Sequence, residues 1–150
     1  MREDRPGGAG GQRSIDVDHD RERLRDLSAR LMKLHRALLD RERRRYEDRR
    51  GSIPSGELLQ VVITDPQFAW LRSLSVMVAE IDATVDAGDP MTEETVARMF
   101  QGAYRLLKAG GDSEFQLKYL DALQDSPDVV MAHAEVSRVL PASLSSKGPS

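Results

Sequence analysis

Five leucines form a helical stripe in the first third of the chain. They are Leu24, Leu27, Leu31, Leu34 and Leu38. Their separations of 3, 4, 3 and 4 residues place them on one face of a helix, as in a bundle or coiled coil. The pattern predicts a long helix over about residues 20–50. The next stripe positions are Arg41 and Arg45, so we expect the packed stripe to end near Leu38 and the last turns to project into water.

A second apolar stripe follows an Asp-Pro pair. Asp65 is predicted to cap a helix, with Pro66 at its first position, where the missing N–H costs nothing. Leu71, Leu74 and Val78 begin a repeat of the same spacing, and further apolar residues lie on the other sides of this helix. We therefore expect burial on most sides and a central place in the domain. The helix is predicted to continue to about residue 87.

The remaining segments predict shorter helices. The stretch ELLQVVIT, residues 57–64, favours a short helix because a single strand would have no pairing partner. Helices are also predicted over about 92–109, 113–125 and 127–140, the second opened by a Ser113–Gln116 capping box. The expected fold class is all-α: a helical bundle of five to six helices, in which the long N-terminal helix packs on the central helix beside shorter C-terminal helices.

Composition divides the chain into one domain with two tails. Residues 1–19 are rich in Gly, Asp and Arg and are expected to form a disordered arm. Residues 20–140 form a single helical domain, and residues 141–150 are expected to be a disordered tail.

Charge and motifs exclude several kinds of chemistry. The 150-residue chain has a net charge of −3 and no cysteine, which rules out disulfides and thiolate metal sites. It has no P-loop motif, and none of its 3 histidines has a Glu three positions earlier. We predict no bound metal or cofactor. With no long apolar run and no apolar N-terminal stretch, a cytoplasmic protein without membrane contact is expected.

One line of polar residues could form a ligand site. His35, Glu42 and Tyr46 fall at i, i+7 and i+11 along the long helix, and Asp82 is expected on the shoulder of the central helix. These side chains could bind a metal or a small polar ligand at the edge of a pocket. The alternative is a polar margin of the core, satisfied by hydrogen bonds or water.

The end of the long helix is strongly basic. Residues 41–50 carry six arginines against three acids, a local charge of +3. Arg41, Arg44, Arg45 and Arg49 are candidates for a partner surface that grips an acidic protein or phosphates. Spacings such as Asp40–Arg44 instead suggest a self-paired helix surface. A helix-turn-helix mode of DNA binding is not expected, because the C-terminal helices that could enter a groove are acidic, and the net charge of −3 gives no overall attraction to nucleic acid.

The aromatic pair Phe68 and Trp70 allows two interpretations. Both residues flank the second apolar stripe, just after the Asp-Pro start. They could belong to the core or to a subunit contact, and alternatively they could anchor a partner or ligand. His133, between Val129 and Val136, is interpreted as a residue near the core.

Three stretches resemble a known family. LHRALLDRERRRYE, GELLQVVITDPQFAWLRSLSVMVAEID and SPDVVMAHAEV are similar to a family of small, uncharacterised bacterial all-helical proteins. The Asp-Pro-x-Phe-x-Trp-Leu-Arg stretch is the most distinctive part, and the resemblance covers roughly residues 24–140. It implies a bacterial cytoplasmic protein with an all-helical fold, and it implies no activity, cofactor or site.

The functional prediction follows from the leucine stripe. A small domain is not expected to bury all of it, so the sequence favours a non-enzymatic bundle that acts through protein–protein contact, with self-association into a homo-oligomer. Two alternatives remain open. One is a metal or small polar ligand near His35, Glu42 and Tyr46, and the other is an acidic partner or nucleic acid bound through residues 41–50.

Overall fold

The computed structural model describes residues 4–88 and 91–141, with side chains from residue 18 onward. Within these residues the chain forms six α-helices and one 3₁₀ helix and has no strand, which confirms the all-α fold class. The elements are α1 Asp4–Arg50, α2 Leu58–Thr64, the 3₁₀ helix Pro66–Leu71, α3 Arg72–Asp86, α4 Glu93–Leu107, α5 Glu114–Asp125 and α6 Pro127–Ser137. None of the described helices is both long and apolar enough to cross a membrane.

The first helix starts earlier than its apolar stripe. The sequence predicts a start near Asp20 after a disordered arm, whereas the backbone of α1 is helical from Asp4. Extending an existing helix adds one hydrogen bond per residue without a new nucleation step, so a helix anchored by its packed stripe can continue into a weaker segment. The helix ends before Gly51, whose φ of 90° suits glycine. Residues 1–3, and residues 142–150 of the predicted tail, lie outside the described residues.

The core is built on the leucine stripe of α1. All five leucines are fully buried. The helix packs against α3 on one side and α6 on another, and its C-terminal part contacts the 3₁₀ helix. The expected packing of the long N-terminal helix on the helix after Pro66 is therefore confirmed. Because this single chain covers the whole stripe, the stripe supplies no surplus surface for self-association.

The helix after Asp65 differs from its prediction in two ways. Its first turns, Pro66–Leu71, are 3₁₀ rather than α-helical, a common form at helix starts. The predicted cap is present, since the Asp65 carboxylate accepts a hydrogen bond from the backbone N–H of Gln67 at 2.9 Å. Burial on most sides is wrong for α3: Leu74 and Ile81 face the core, whereas Val76 on another side is exposed. No described helix covers that other side.

The C-terminal helices begin where their caps are predicted. Ser113 and Gln116 form both hydrogen bonds of a capping box at the start of α5. Ser126 accepts from the backbone N–H of Val129 at the start of α6, with Pro127 in the first position. Each cap satisfies an N–H that a helix end otherwise leaves without a partner. These caps fix where α5 and α6 begin, and thereby bring Asp125, the last residue of α5, beside the C-terminal part of α1.

Candidate functional site

A polar cluster with a buried Arg41 and a buried Glu42 lies where α1 meets the 3₁₀ helix and the end of α5. The guanidinium of Arg41 donates from Nε to Oδ1 of Asp125 at 2.6 Å and from Nη2 to Oδ2 at 2.7 Å. Its Nη1 donates to Oε2 of Glu42 at 2.8 Å. The amide of Gln67 donates to the other oxygen of that carboxylate, at 2.9 Å. This arrangement is a bidentate arginine–carboxylate pair extended by a second carboxylate and an amide.

The buried charges of this cluster are paired with each other: Arg41 binds the carboxylates of both Asp125 and Glu42. The hydrogen bond from Arg41 lowers the pKa of the Asp125 carboxyl below its ordinary value, and the same bond raises the pKa of Arg41. Among the described residues, no buried side-chain nitrogen or oxygen lacks a hydrogen-bond partner. The expectation that packing ends near Leu38 is therefore wrong, because Arg41 and Glu42 are also buried. Their charges are compatible with burial because each is paired inside the chain.

A cleft of about 260 Å³ lies beside this cluster. Beyond the cluster residues it is lined by Arg45, Arg49, Lys118 and Asp121. Arg49 donates a hydrogen bond to the side-chain oxygen of Gln67, and Arg45 lies 3.8 Å from a carboxylate oxygen of Asp125. These additional lining groups are three cations and one carboxylate, so the cleft could hold an anionic group.

The predicted partner-surface arginines divide into two groups. Arg44, Arg45 and Arg49 are exposed, as a partner surface requires. Arg41 is buried and holds Asp125, so its role in the structure is to join α1 to α5. Arg44 lines a neighbouring groove with Arg45 and Asp48 rather than the cleft itself.

The predicted polar line does not form one site. Glu42 belongs to the arginine cluster, whereas Asp82 accepts a hydrogen bond from the hydroxyl of Ser28 at 2.6 Å. The ring of Tyr46 lies against Phe68, with centroids 6.0 Å apart. His35 is half-buried, and burial lowers its pKa. Across the described residues, no three His, Cys, Asp or Glu side chains are grouped closely enough to hold a metal ion.

The aromatic pair belongs to the core of this chain. Phe68 and Trp70 are both buried. The Trp70 ring packs on Phe115 at 5.3 Å, and Phe115 stacks on Tyr119 at 5.4 Å. The row ends where Oη of Tyr119 meets Nδ1 of His133 at 2.6 Å. Of the two interpretations of Phe68 and Trp70, the core is the one that the packing supports.

Helix α2 presents an apolar surface that its own chain leaves uncovered. None of its seven residues is buried. Leu59 is 71% exposed and Ile63 is 59% exposed, and these two side chains define what we call the α2 face. On the opposite side, Val61 and Val62 rest partly on the core. An exposed leucine and an exposed isoleucine one turn apart on a short, uncharged helix form a small apolar patch, which is a candidate contact site.

A second uncovered surface lies between α3 and α4. An open groove of about 590 Å³ has Met77 and Ile81 of α3 and Met99 and Gly102 of α4 among its lining residues. Charged side chains of Glu80, Arg98 and Arg105 also line it. We call this feature the α3–α4 groove. It follows from the uncovered side of α3 described above.

Comparison with known protein families, curated proteins and solved structures gave no match to this chain. The resemblance stated for the Asp-Pro-x-Phe-x-Trp-Leu-Arg stretch therefore stays a prediction.

Sequence reasoning missed three parts of these surfaces. Gln67 and Asp125 complete the arginine cluster, and neither is marked by a local motif. The sequence of α2 also gives no sign that the helix is exposed, because its apolar residues are typical of a buried helix. The position of Arg41 on the leucine stripe was the one signal for the cluster, since a charge at a core position requires a partner.

Proposed function

We propose that this protein acts through protein–protein contact rather than catalysis, and that it self-associates through the α2 face. We place it in the cytoplasm, as the sequence predicts. The observation that carries the proposal is that five of the seven residues of α2 are apolar and yet none of the seven is buried. The leucine stripe of α1 does not support self-association, because its five leucines are fully buried within one chain.

Burial of this face would favour association. Burying a leucine or isoleucine side chain contributes about 1.5–3 kcal/mol relative to leaving it exposed. Because Leu59 is 71% exposed and Ile63 59% exposed, the two side chains together offer about 2–4 kcal/mol, before the cost of bringing two molecules together. Residues 58–64 carry no charge, so like-charge repulsion within α2 does not oppose contact between copies.

The test compares matched charge substitutions on two exposed apolar sites. The variant L59E/I63E is expected to weaken self-association about 100-fold, since a loss of about 3 kcal/mol corresponds to a factor of that size. The control is Met131→Glu on α6, where the side chain is 66% exposed. Sedimentation velocity over a concentration series measures both variants beside the wild type.

The control variant should sediment like the wild type at every concentration. A wild-type protein that stays monomeric throughout the series refutes the proposal. Association that survives L59E/I63E, or is lost equally in Met131→Glu, removes α2 as the contact. Because both α2 positions are exposed, the substitutions are not expected to unfold the domain, and circular dichroism checks this directly.

The basic cleft supports a second candidate, the binding of an acidic protein segment. Arg45, Arg49 and Lys118 line it against Asp121. A fluorescently labelled poly-glutamate peptide should bind with an affinity that falls steeply with salt, and Arg45→Ala with Lys118→Ala should abolish the binding. Unchanged binding in that variant excludes the cleft. The small-ligand alternative at His35, Glu42 and Tyr46 gains no support, since Glu42 and Tyr46 have separate partners and the described residues contain no grouped set of metal-binding side chains.

A further inference from the structure

Two helices form the charged walls of the basic cleft. Arg45 and Arg49 lie one turn apart on α1, and Lys118 and Asp121 lie three residues apart on α5. Side chains at these spacings lie on the same side of a helix, with Cβ atoms about 5–6 Å apart. An occupant of the cleft therefore meets two guanidinium groups on one wall, and an ammonium group and a carboxylate on the other.

Three cations in these walls keep capacity for a ligand. Among the residues that the structure describes, Arg49 and Lys118 form no ion pair. Arg45 makes one long contact, 3.8 Å, with a carboxylate oxygen of Asp125. Arg49 donates a hydrogen bond to Gln67, but a guanidinium carries five N–H groups. These three side chains can therefore donate to several oxygens of one anion at the same time.

The size and the net charge of the cleft indicate a small anion. Its volume of about 260 Å³ is below the range of roughly 300–1,000 Å³ that is typical of pockets for drug-sized ligands. Its lining contains four cations and two carboxylates, a net charge of +2, and Asp125 behind Arg41 reduces this to +1. An anion with one or two negative charges matches this balance.

Asp121 gives the cleft a means to select among such anions. An ionised carboxylate accepts hydrogen bonds and donates none, so it repels an anion whose facing oxygen carries no hydrogen. Inorganic phosphate keeps at least one O–H at pH 7, and this group can donate to Asp121 while the other oxygens accept from the cations. Sulfate and carboxylates have no O–H at this pH, and a phosphate monoester loses its last one at about pH 6.

We propose that the basic cleft binds inorganic phosphate, an inference that rests on the anion binding proposed for this cleft and not on self-association. The phosphate lies between the two walls, with Arg45 and Arg49 on one side and Lys118 on the other. Its O–H donates to Asp121, which makes this carboxylate a hydrogen-bond partner. An acidic protein segment uses the same cations but leaves Asp121 opposite another acceptor, so phosphate is the better-matched occupant.

Calorimetric titration of the full chain, dialysed free of phosphate, tests the selectivity at pH 7. Sodium phosphate should bind about tenfold more tightly than sodium sulfate at equal ionic strength, the lower end of what a hydrogen bond to a charged group contributes. Methyl phosphate, the probe for a phosphate monoester, should bind as weakly as sulfate. Equal binding of phosphate and sulfate by the wild type overturns the inference.

The variant Asp121→Asn tests the residue that carries the selectivity. An amide can donate as well as accept, so it tolerates an anion that has no O–H. We expect sulfate to bind this variant more tightly than the wild type and the preference for phosphate to disappear. A preference that survives Asp121→Asn removes the role of this carboxylate.

Two double variants locate the site. Arg45→Ala with Lys118→Ala removes one cation from each wall and should abolish measurable phosphate binding. The matched control is Arg36→Ala with Arg44→Ala, which removes the same charge from exposed side chains outside the lining of the cleft and should bind like the wild type. All four positions are exposed, so the domain should stay folded, which circular dichroism checks. An equal loss in both double variants overturns a site in the cleft.

Competition separates this inference from the acidic-segment candidate. Phosphate should displace the labelled poly-glutamate peptide from the wild type more effectively than sodium chloride does at the same ionic strength. If the peptide binds and phosphate displaces it no better than sodium chloride, the phosphate site fails and the acidic-segment candidate stands. If neither the peptide nor phosphate binds, both fail.

Discussion

Replacing Asp125 with Asn removes the charge that balances the buried guanidinium of Arg41. The two side chains form two hydrogen bonds, at 2.6 and 2.7 Å. An asparagine can accept one of them, but its amide nitrogen then meets the second guanidinium N–H, donor against donor. The perturbation therefore removes one charge-assisted hydrogen bond and leaves Arg41 with Glu42 as its remaining carboxylate.

The magnitude follows from the burial of the two partners. The Arg41 side chain is 6% exposed, whereas that of Asp125 is 53% exposed. Hydrogen bonds to charged groups contribute about 1.5–3 kcal/mol, and solvent around Asp125 screens this one towards the lower end. Helix dipoles largely cancel, because Asp125 ends α5 and precedes the N-terminus of α6. We expect the free energy of unfolding to fall by about 2 kcal/mol.

The matched control is Asp26→Asn, which breaks an ion pair of similar length on the surface. Nε of Arg30 lies 2.9 Å from Asp26, within α1 and four residues away. Exposed pairs at this spacing contribute about 0.3–0.5 kcal/mol. Urea unfolding followed by circular dichroism at low protein concentration compares both variants with the wild type. A loss for Asp125→Asn no larger than that for Asp26→Asn would refute the claim that Arg41 holds the helices together.

The loss of stability in Asp125→Asn should also depend on pH, and the direction follows from the pKa of Asp125. The folded-state pKa of Asp125 is lowered, so the ionised carboxylate stabilises the fold at any pH above its unfolded pKa of about 3.9. As the pH falls below about 4, this contribution decreases, and it disappears once the pH passes below the folded pKa. The difference between the wild type and Asp125→Asn should therefore be full at pH 7 and shrink below about pH 4. A difference that is constant down to pH 2 would contradict the ion pair.

Three further predictions test the core. Leu31→Ala should lower the free energy of unfolding by about 2–5 kcal/mol at every protein concentration, whereas Met32→Ala on the exposed side should change it by less than about 0.5 kcal/mol in urea unfolding. Burial lowers the folded pKa of His35 and of His133 below the unfolded value near 6.5, so thermal stability should fall as the pH drops from 7 to 5. Replacing both histidines with Gln should make the midpoint of thermal unfolding less dependent on pH between 7 and 5. An unchanged pH dependence would contradict the role of the two histidines. Trp70 should show the same blue-shifted emission and weak acrylamide quenching in wild type and in the L59E/I63E variant, because its own chain covers it.

Local sequence signals predicted much of this fold. The leucine spacing located the core face of α1, and the Asp65, Ser113 and Ser126 caps located three helix starts. These signals act within a few residues, so spacing and residue type are enough to recognise them. The helical state of residues 57–64 was predicted by elimination instead, because a single strand would have no pairing partner.

Contacts between residues that are far apart in the sequence could not be predicted from such local patterns. Arg41 finds its partner 84 residues away, so no local pattern shows whether its charge is buried or exposed. The side of α3 that stays open depends on where α1 and α4 pack against it, which periodicity does not determine. For α2 the sequence predicts the helix, but only the arrangement of its neighbours decides that Leu59 and Ile63 remain exposed.

Native mass spectrometry of the wild-type protein over a range of concentrations tests the central claim most directly. It weighs every assembly without assuming which surface forms it. Self-association through α2 predicts that species at integer multiples of 16.7 kDa increase with concentration, with no added ligand mass. A single 16.7 kDa species at every concentration would contradict the account.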